Sequence, residues 1–195
     1  MATALPNIDR PVVREPEPVK ETKAREYQFD NALTVTVQVT GLFMPQRVDD
    51  LKFLMLHFPE ARLQEINFET ARATIVCSTD SDEFRNAKPE QAIDRINNRI
   101  RHLSNHTIGA KTPSRVHRDQ LERIEIPITG LDCMACSLAV YEILAKIEEV
   151  ERTTASFRDS LATTWIDSTK TNRQTLEETL KQRGVSFVPE RDDLE

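Results

Sequence analysis

The sequence predicts an α+β protein built from two tandem βαββαβ units. Three observations carry that prediction: short stretches of alternating apolar residues, apolar residues at helical spacing between them, and repetition of the whole order at a fixed offset. Leu33, Val35, Val37 and Val39 alternate up to Gly41, and Ile124, Ile126 and Ile128 alternate up to Gly130. Such alternation marks a strand with one buried face.

The two stretches superimpose at an offset of 89 residues, the distance from Gly41 to Gly130. That offset holds without a gap from the first strand through the third. Leu42 falls on Leu131, Leu51 on Val140, Leu54 on Ile143, Phe58 on Ile147, Phe68 on Phe157, and Ala73-Thr74 on Ala162-Thr163. Apolar positions meet apolar positions, as expected of a duplicated supersecondary unit.

In the first unit, residues 31–111, Pro45 is placed to open a helix. Val48, Leu51, Leu54, Met55 and Phe58 recur at three-to-four spacing behind it, the stripe of a core-facing helix. Two strands follow, Arg62 to Thr70 and Ala71 to Ser78. A second helix carries Ile93, Ile96, Ile100 and Leu103, and a short strand spans Thr107 to Lys111. Residues 112–120 are polar and read as a linker. The second unit, residues 121–189, repeats the order. Val140, Ile143, Leu144 and Ile147 mark its first helix, Val150 to Asp159 and Leu161 to Ser168 two strands, Thr175 to Arg183 a second helix, and Val185 to Val188 a last strand. Split βαββαβ is the ferredoxin-like arrangement, an antiparallel sheet with both helices on one face.

Composition narrows the function. The 195 residues carry a net charge of −6 and are 38% hydrophobic and 30% charged, which suits two small soluble domains. No basic face invites a phosphate backbone, so nucleic acid is not an expected partner. The longest apolar run, Phe53-Leu54-Met55-Leu56, is far short of the ~20 residues that span a bilayer. Residues 1–30 are rich in proline, glutamate and lysine and read, with 190–195, as flexible tails. Their lack of an apolar signal segment and the presence of three cysteines in all point to a reducing, cytoplasmic location. No nucleophile and base pairing, phosphate-binding glycine loop or paired acid/base motif is visible, so an enzyme is not expected.

The chemistry concentrates in Gly130-Leu131-Asp132-Cys133-Met134-Ala135-Cys136, where a strand turns into a helix. A Cys-x-x-Cys at such a turn is a metal clamp or a dithiol redox couple. N–H groups at a helix start favour thiolate, the metal-binding form. The spacing lets both sulfurs face one ion.

A strand ending in Gly-x-x-Cys-x-x-Cys, followed by an amphipathic helix within βαββαβ, resembles the heavy-metal-associated domain. This is the module of copper chaperones and of the cytosolic N-terminal segments of metal-exporting P-type ATPases. The resemblance is strong over Leu121 to Pro189 and one of pattern over Asn31 to Lys111. It implies a soft or borderline ion, Zn(II), Cd(II) or Cu(I), held by Cys133 and Cys136 and passed by ligand exchange to a metal-transporting ATPase or another acceptor protein. It also implies that two such loops can share one ion in a dimer. Asp132 stands where copper modules usually carry Thr or His, while modules on zinc-, cadmium- and lead-exporting ATPases often carry Asp. A carboxylate suits a divalent ion and Cu(I) prefers thiolates. With Asp132 the loop offers three ligands and leaves a fourth tetrahedral position open. Where copper chaperones often place Lys or Tyr near the last strand, this chain has Val185, with Arg183 two residues earlier.

The first unit has Phe43, Met44 and Arg47 where the second has Asp132, Cys133 and Cys136. It therefore reads as a degenerate copy without metal ligands, a spacer or docking surface whose Phe43-Met44 loop is an exposed contact. Other readings stay open beside these. The chain could be a protein interaction module with metal as an accessory, or a dithiol redox protein, although no Trp precedes Cys133. Asp132 is either a ligand or the N-cap of the helix. Cys77, at the position of Ile166, reads as core, as do Trp165 and Phe157. His102, His106 and His117 read as solvated histidines.

Overall fold

A computed structural model describes residues 27–114, 116 and 118–188. The first 26 residues of the expected N-terminal tail, the tail 190–195 and His117 lie outside them.

The first unit runs β1 (Leu33–Thr40), α1 (Arg47–Leu56), β2 (Ala61–Asn67), β3 (Arg72–Cys77), α2 (Pro89–Leu103) and β4 (Gly109–Lys111). The second runs β5 (Glu122–Pro127), α3 (Met134–Leu144), β6 (Val150–Ser156), β7 (Leu161–Ile166) and α4 (Arg173–Gln182). Both sheets are antiparallel, in the orders β2-β3-β1-β4 and β5-β7-β6. The architecture is α+β and ferredoxin-like, with the helices of each unit contributing to its core.

The 89-residue offset survives in the pairing register. Val37 faces Ala73 as Ile126 faces Ala162, and Ile66 faces Ala73 as Ala155 faces Ala162. Register is fixed wherever one face must be buried, because a slip of one residue turns the apolar set to solvent. Val35, Val37, Val39 and Ile75 fill one core with Leu51, Phe58, Ile96 and Ile100. Ile124, Ile126 and Ile166 fill the other with Val140, Leu144, Leu176 and Leu180.

Several expectations need correction. The first helix opens at Arg47, not Pro45. Residues 44–48 form tight turns first, with Arg47 N–H on Met44 O (3.1 Å) and Val48 N–H on Pro45 O (3.0 Å). The last strand of the second unit reduces to one bridge, Ile128 to Phe187, flanked by Thr129 N–H on Ser186 O (2.8 Å) and Val188 N–H on Pro127 O (3.0 Å). Residues 27–30 are not a loose tail. Tyr27 hydrogen-bonds Glu60 (3.1 Å), Ser78 Oγ donates to Gln28 O, and the Arg62 guanidinium stacks 4.0 Å over Phe29.

Trp165 is buried, but outside the core between sheet and helices. It lines a cavity of about 220 Å³ between the units with Gln38, Arg72, Ser114 and Arg152. Phe157 is partly buried against the second core, and Cys77 is fully buried in the first. Burial pushes the Cys77 thiol up to about 12 from 9.0, because a thiolate there would lose its hydration. Among the described residues no helix is long and apolar enough to cross a membrane.

Candidate metal centre

The site forms where β5 ends and α3 begins. Gly130 takes φ +75° with open space around its α-carbon, so backbone conformation alone selects glycine there. Leu131 is buried in the second core and anchors the loop from below. Cys133 is extended (φ −145°, ψ 161°) and is the N-cap of α3. Its sulfur accepts the N–H of Cys136 at 3.1 Å. Asp132 is therefore not the cap. Its exposed carboxylate instead lies with Oδ1 3.4 Å from Cys136 Sγ.

Asp132, Cys133 and Cys136 bring one ligand atom each to within 4.8 Å of one another. The cysteine Cα atoms are 5.2 Å apart, and their sulfurs are joined as a disulfide. Both cysteines are half-buried and Asp132 is exposed, so the donors are held from the protein side and reachable from solvent. An N–H aimed at Cys133 Sγ stabilises negative charge on sulfur. Met134, between the cysteines, is 50% exposed. Val185 packs against the second core next to Ser186, whose carbonyl takes the Thr129 N–H at 2.8 Å just before Gly130, and Arg183, the C-cap of α4, is exposed. His102 and His106 are exposed, at and just beyond the end of α2.

The matching loop of the first unit is built differently. Gly41, at φ +84°, lies so close to Thr107 that an added Cβ would sit 2.0 Å from its carbonyl oxygen. Arg47 stands at the position of Cys136. Its guanidinium donates to Gly41 O (3.3 Å) and Thr107 Oγ1 (2.8 Å) and pairs with Asp50 (2.7 Å). Phe43 and Met44 are not exposed. They are 2% and 4% accessible and belong to the core cluster of the second unit.

Two hydrogen bonds and one ring contact hold that docked loop. Tyr141 of α3 accepts the Gly41 N–H at 2.6 Å, Ala155 of edge strand β6 donates its N–H to Phe43 O at 2.9 Å, and the Phe43 and Tyr141 rings lie 5.8 Å apart. Gln38 donates to Glu151 O (2.7 Å) and Arg152 to Phe68 O (3.0 Å) farther along β6. Burial raises the Tyr141 phenol's pKa, partly offset by the Gly41 hydrogen bond. Sequence reasoning named Phe43-Met44 as a contact but left it exposed, and missed its burial on the second unit, because these residues lie in a turn, outside any apolar period. The only signal was that two large apolar residues replaced two polar ones.

No protein-family model matches the chain, and no curated protein does. Among solved structures it is similar to oxidised MerP from Ralstonia metallidurans CH34, with 24% identity over 35% of this chain and 99% of that one, at a TM-score of 0.33. It is similar to the N-terminal domain of ZntA in its Zn(II) form, with 22% identity over 37% and 94% and a TM-score of 0.33. The water-soluble region of the P-type ATPase CopA from Bacillus subtilis is similar over 84% of this chain and 96% of its own, with 17% identity and a TM-score of 0.34.

Proposed function

We infer that the chain is a cytoplasmic metal carrier, not an enzyme, which holds one ion through Cys133 and Cys136 and hands it to an acceptor protein such as a metal-transporting ATPase. The observation that supports this most is the convergence of three donor atoms within 4.8 Å at the start of α3, on a half-buried ledge. Two thiolates on one tetrahedral ion at ~2.3 Å stand about 3.8 Å apart, a spacing that cysteines 5.2 Å apart at Cα reach by side-chain rotation once reduced. Asp132 supplies a hard third donor and so favours Zn(II) or Cd(II) over Cu(I). The fourth position is left to water or to an incoming thiolate of the acceptor.

Metal analysis of the reduced protein tests this. About one Zn(II) or Cd(II) per chain is expected, with none in the Cys133→Ser/Cys136→Ser double variant. Full loading of that variant would overturn the site. Asp132→Ala should weaken Zn(II) more than Cu(I), and equal losses would remove Asp132 from the ligand set.

The pairing of the two sulfurs supports a second reading, a dithiol couple. Reduction of the bond takes two electrons and two protons from an external dithiol, which leaves as its own disulfide, and delivers the two thiols that metal binding requires. Catalytic disulfide exchange by the metal-free protein would favour that reading. Exchange no faster than that of a small-molecule dithiol would leave the carrier alone.

A further inference from the structure

The contact between the units is of the open kind. The loop of the first unit docks on the helix and edge strand of the second, and the corresponding surfaces at the other two ends, the loop of the second unit and the α1–β2 groove of the first, are left without a partner among the described residues. Shifted by the 89-residue offset, Tyr141 becomes Lys52 and Ala155 becomes Ile66. Lys52, Leu56, Leu63 and Ile66 line a groove on the first unit. Leu56 is 78% exposed, and Leu63 and Ile66 are half-buried.

We propose that this groove receives the Gly130–Cys136 loop of a second copy of the chain, with Ile66 N–H on Asp132 O in place of the internal Ala155 N–H on Phe43 O, and with an ion pair from Lys52, a donor only, in place of the Tyr141 contacts. Lys52 and Arg62 against Glu65 leave the groove lining with a small basic excess, which favours an acidic loop tip as occupant. The internal contact pairs Phe43 with Tyr141, and the same two positions in the intermolecular contact are Asp132 and Lys52, an aromatic pair exchanged for an ion pair. Lys52 is 58% exposed, with only Asp49, itself 80% exposed, at 3.2 Å, a pairing that is cheap to give up. The backbone geometry is also in place. Ile66 faces Ala73 in the register in which Ala155 faces Ala162, so its N–H points off the sheet edge as the Ala155 N–H does toward Phe43 O. Leu131, like Leu42, is buried in its own core, leaving the loop tip to make the contact. A heterologous contact of this kind continues head to tail unless the rotation between copies closes a ring, and association grows with concentration.

Sedimentation of the full chain, metal-free under chelator and reductant, tests the proposal. The average mass should climb smoothly above the 22.4 kDa monomer. Lys52→Asp, Asp132→Lys and the surface change Leu56→Asp should each weaken association by roughly tenfold or more, as like-charge or polar mismatch at a contact does. The chain carrying both Lys52→Asp and Asp132→Lys should recover it. A monomer at every concentration up to ~1 mM, which bounds Kd from below, would overturn the proposal. So would association indifferent to these changes, or a swapped chain that fails to recover.

Discussion

Two loops of common pattern, Gly41–Arg47 and Gly130–Cys136, leave equivalent strands in this molecule and end in opposite situations. The first is sealed: Gly41 is pressed under Thr107, Arg47 donates to Gly41 O and Thr107 Oγ1, and Phe43 and Met44 are inserted beside Tyr141. The second is open, with space around Gly130 and two half-buried sulfurs beside an exposed carboxylate. The first loop, without cysteines, is not idle. Each apolar side chain gained there contributes about 1.5–3 kcal/mol when removed from water, which fixes the second unit against the first and covers its edge strand. An uncovered strand edge is an aggregation hazard. One turn geometry thus seats an apolar clamp in one unit and gathers three donor atoms within 4.8 Å in the other.

The comparison breaks most visibly in the open loop. Replacing Cys133 and Cys136 by Ser should take metal content from about one ion per chain to none, with the unfolding midpoint of the metal-free protein little changed. Replacing Met44 and Arg47 by Cys in the sealed loop should not create a second site, because the tip is buried; a stoichiometry of two would show that the units separate freely.

In the sealed loop, Phe43→Ala should cost about 3–5 kcal/mol in denaturant titrations, the usual loss for a buried aromatic, and should split unfolding into two transitions. A single unchanged transition would mean that the inserted ring contributes nothing. Tyr141→Phe leaves the Gly41 N–H without its acceptor and should cost about 1–3 kcal/mol. Its measurement by the same titration separates the polar part of the clamp from the apolar part.

The smallest effect distinguishes the third cysteine from the loop pair. With Cys77 raised to about 12 from 9.0, the folded state keeps a proton that the unfolded state releases above pH 9. Stability should therefore fall as pH rises through that window, by about 1.4 kcal/mol per pH unit from this group. It should be unaffected below. A Cys77→Val variant should lose this component, and an identical slope in the variant would assign it to other groups.

Much of this was legible along the chain because the patterns involved are local. Alternation at Val35–Val39 and Ile124–Ile128, and three-to-four spacing at Leu51–Phe58 and Val140–Ile147, each encode burial against the unit's own core. They also made the repeat readable. The disagreements fall where a short signal met a nonlocal partner. Asp132 has the chemistry of an N-cap, but Cys133 one residue later took that place with its sulfur on the Cys136 N–H. Val185–Val188 alternates like a strand, yet it meets only one bridge partner. Trp165 fits a sheet residue of either face, and it lies on the one turned to a cavity lined also by first-unit and linker residues.

The sequence by itself determined the two βαββαβ units, their offset, and the one turn that carries paired sulfurs. Only the tertiary structure decided which loop faces solvent. The reason is physical: a strand or helix buries its face at a period written in neighbouring residues, whereas the clamp joins Gly41 to Tyr141 across 100 positions of chain and leaves no period to read.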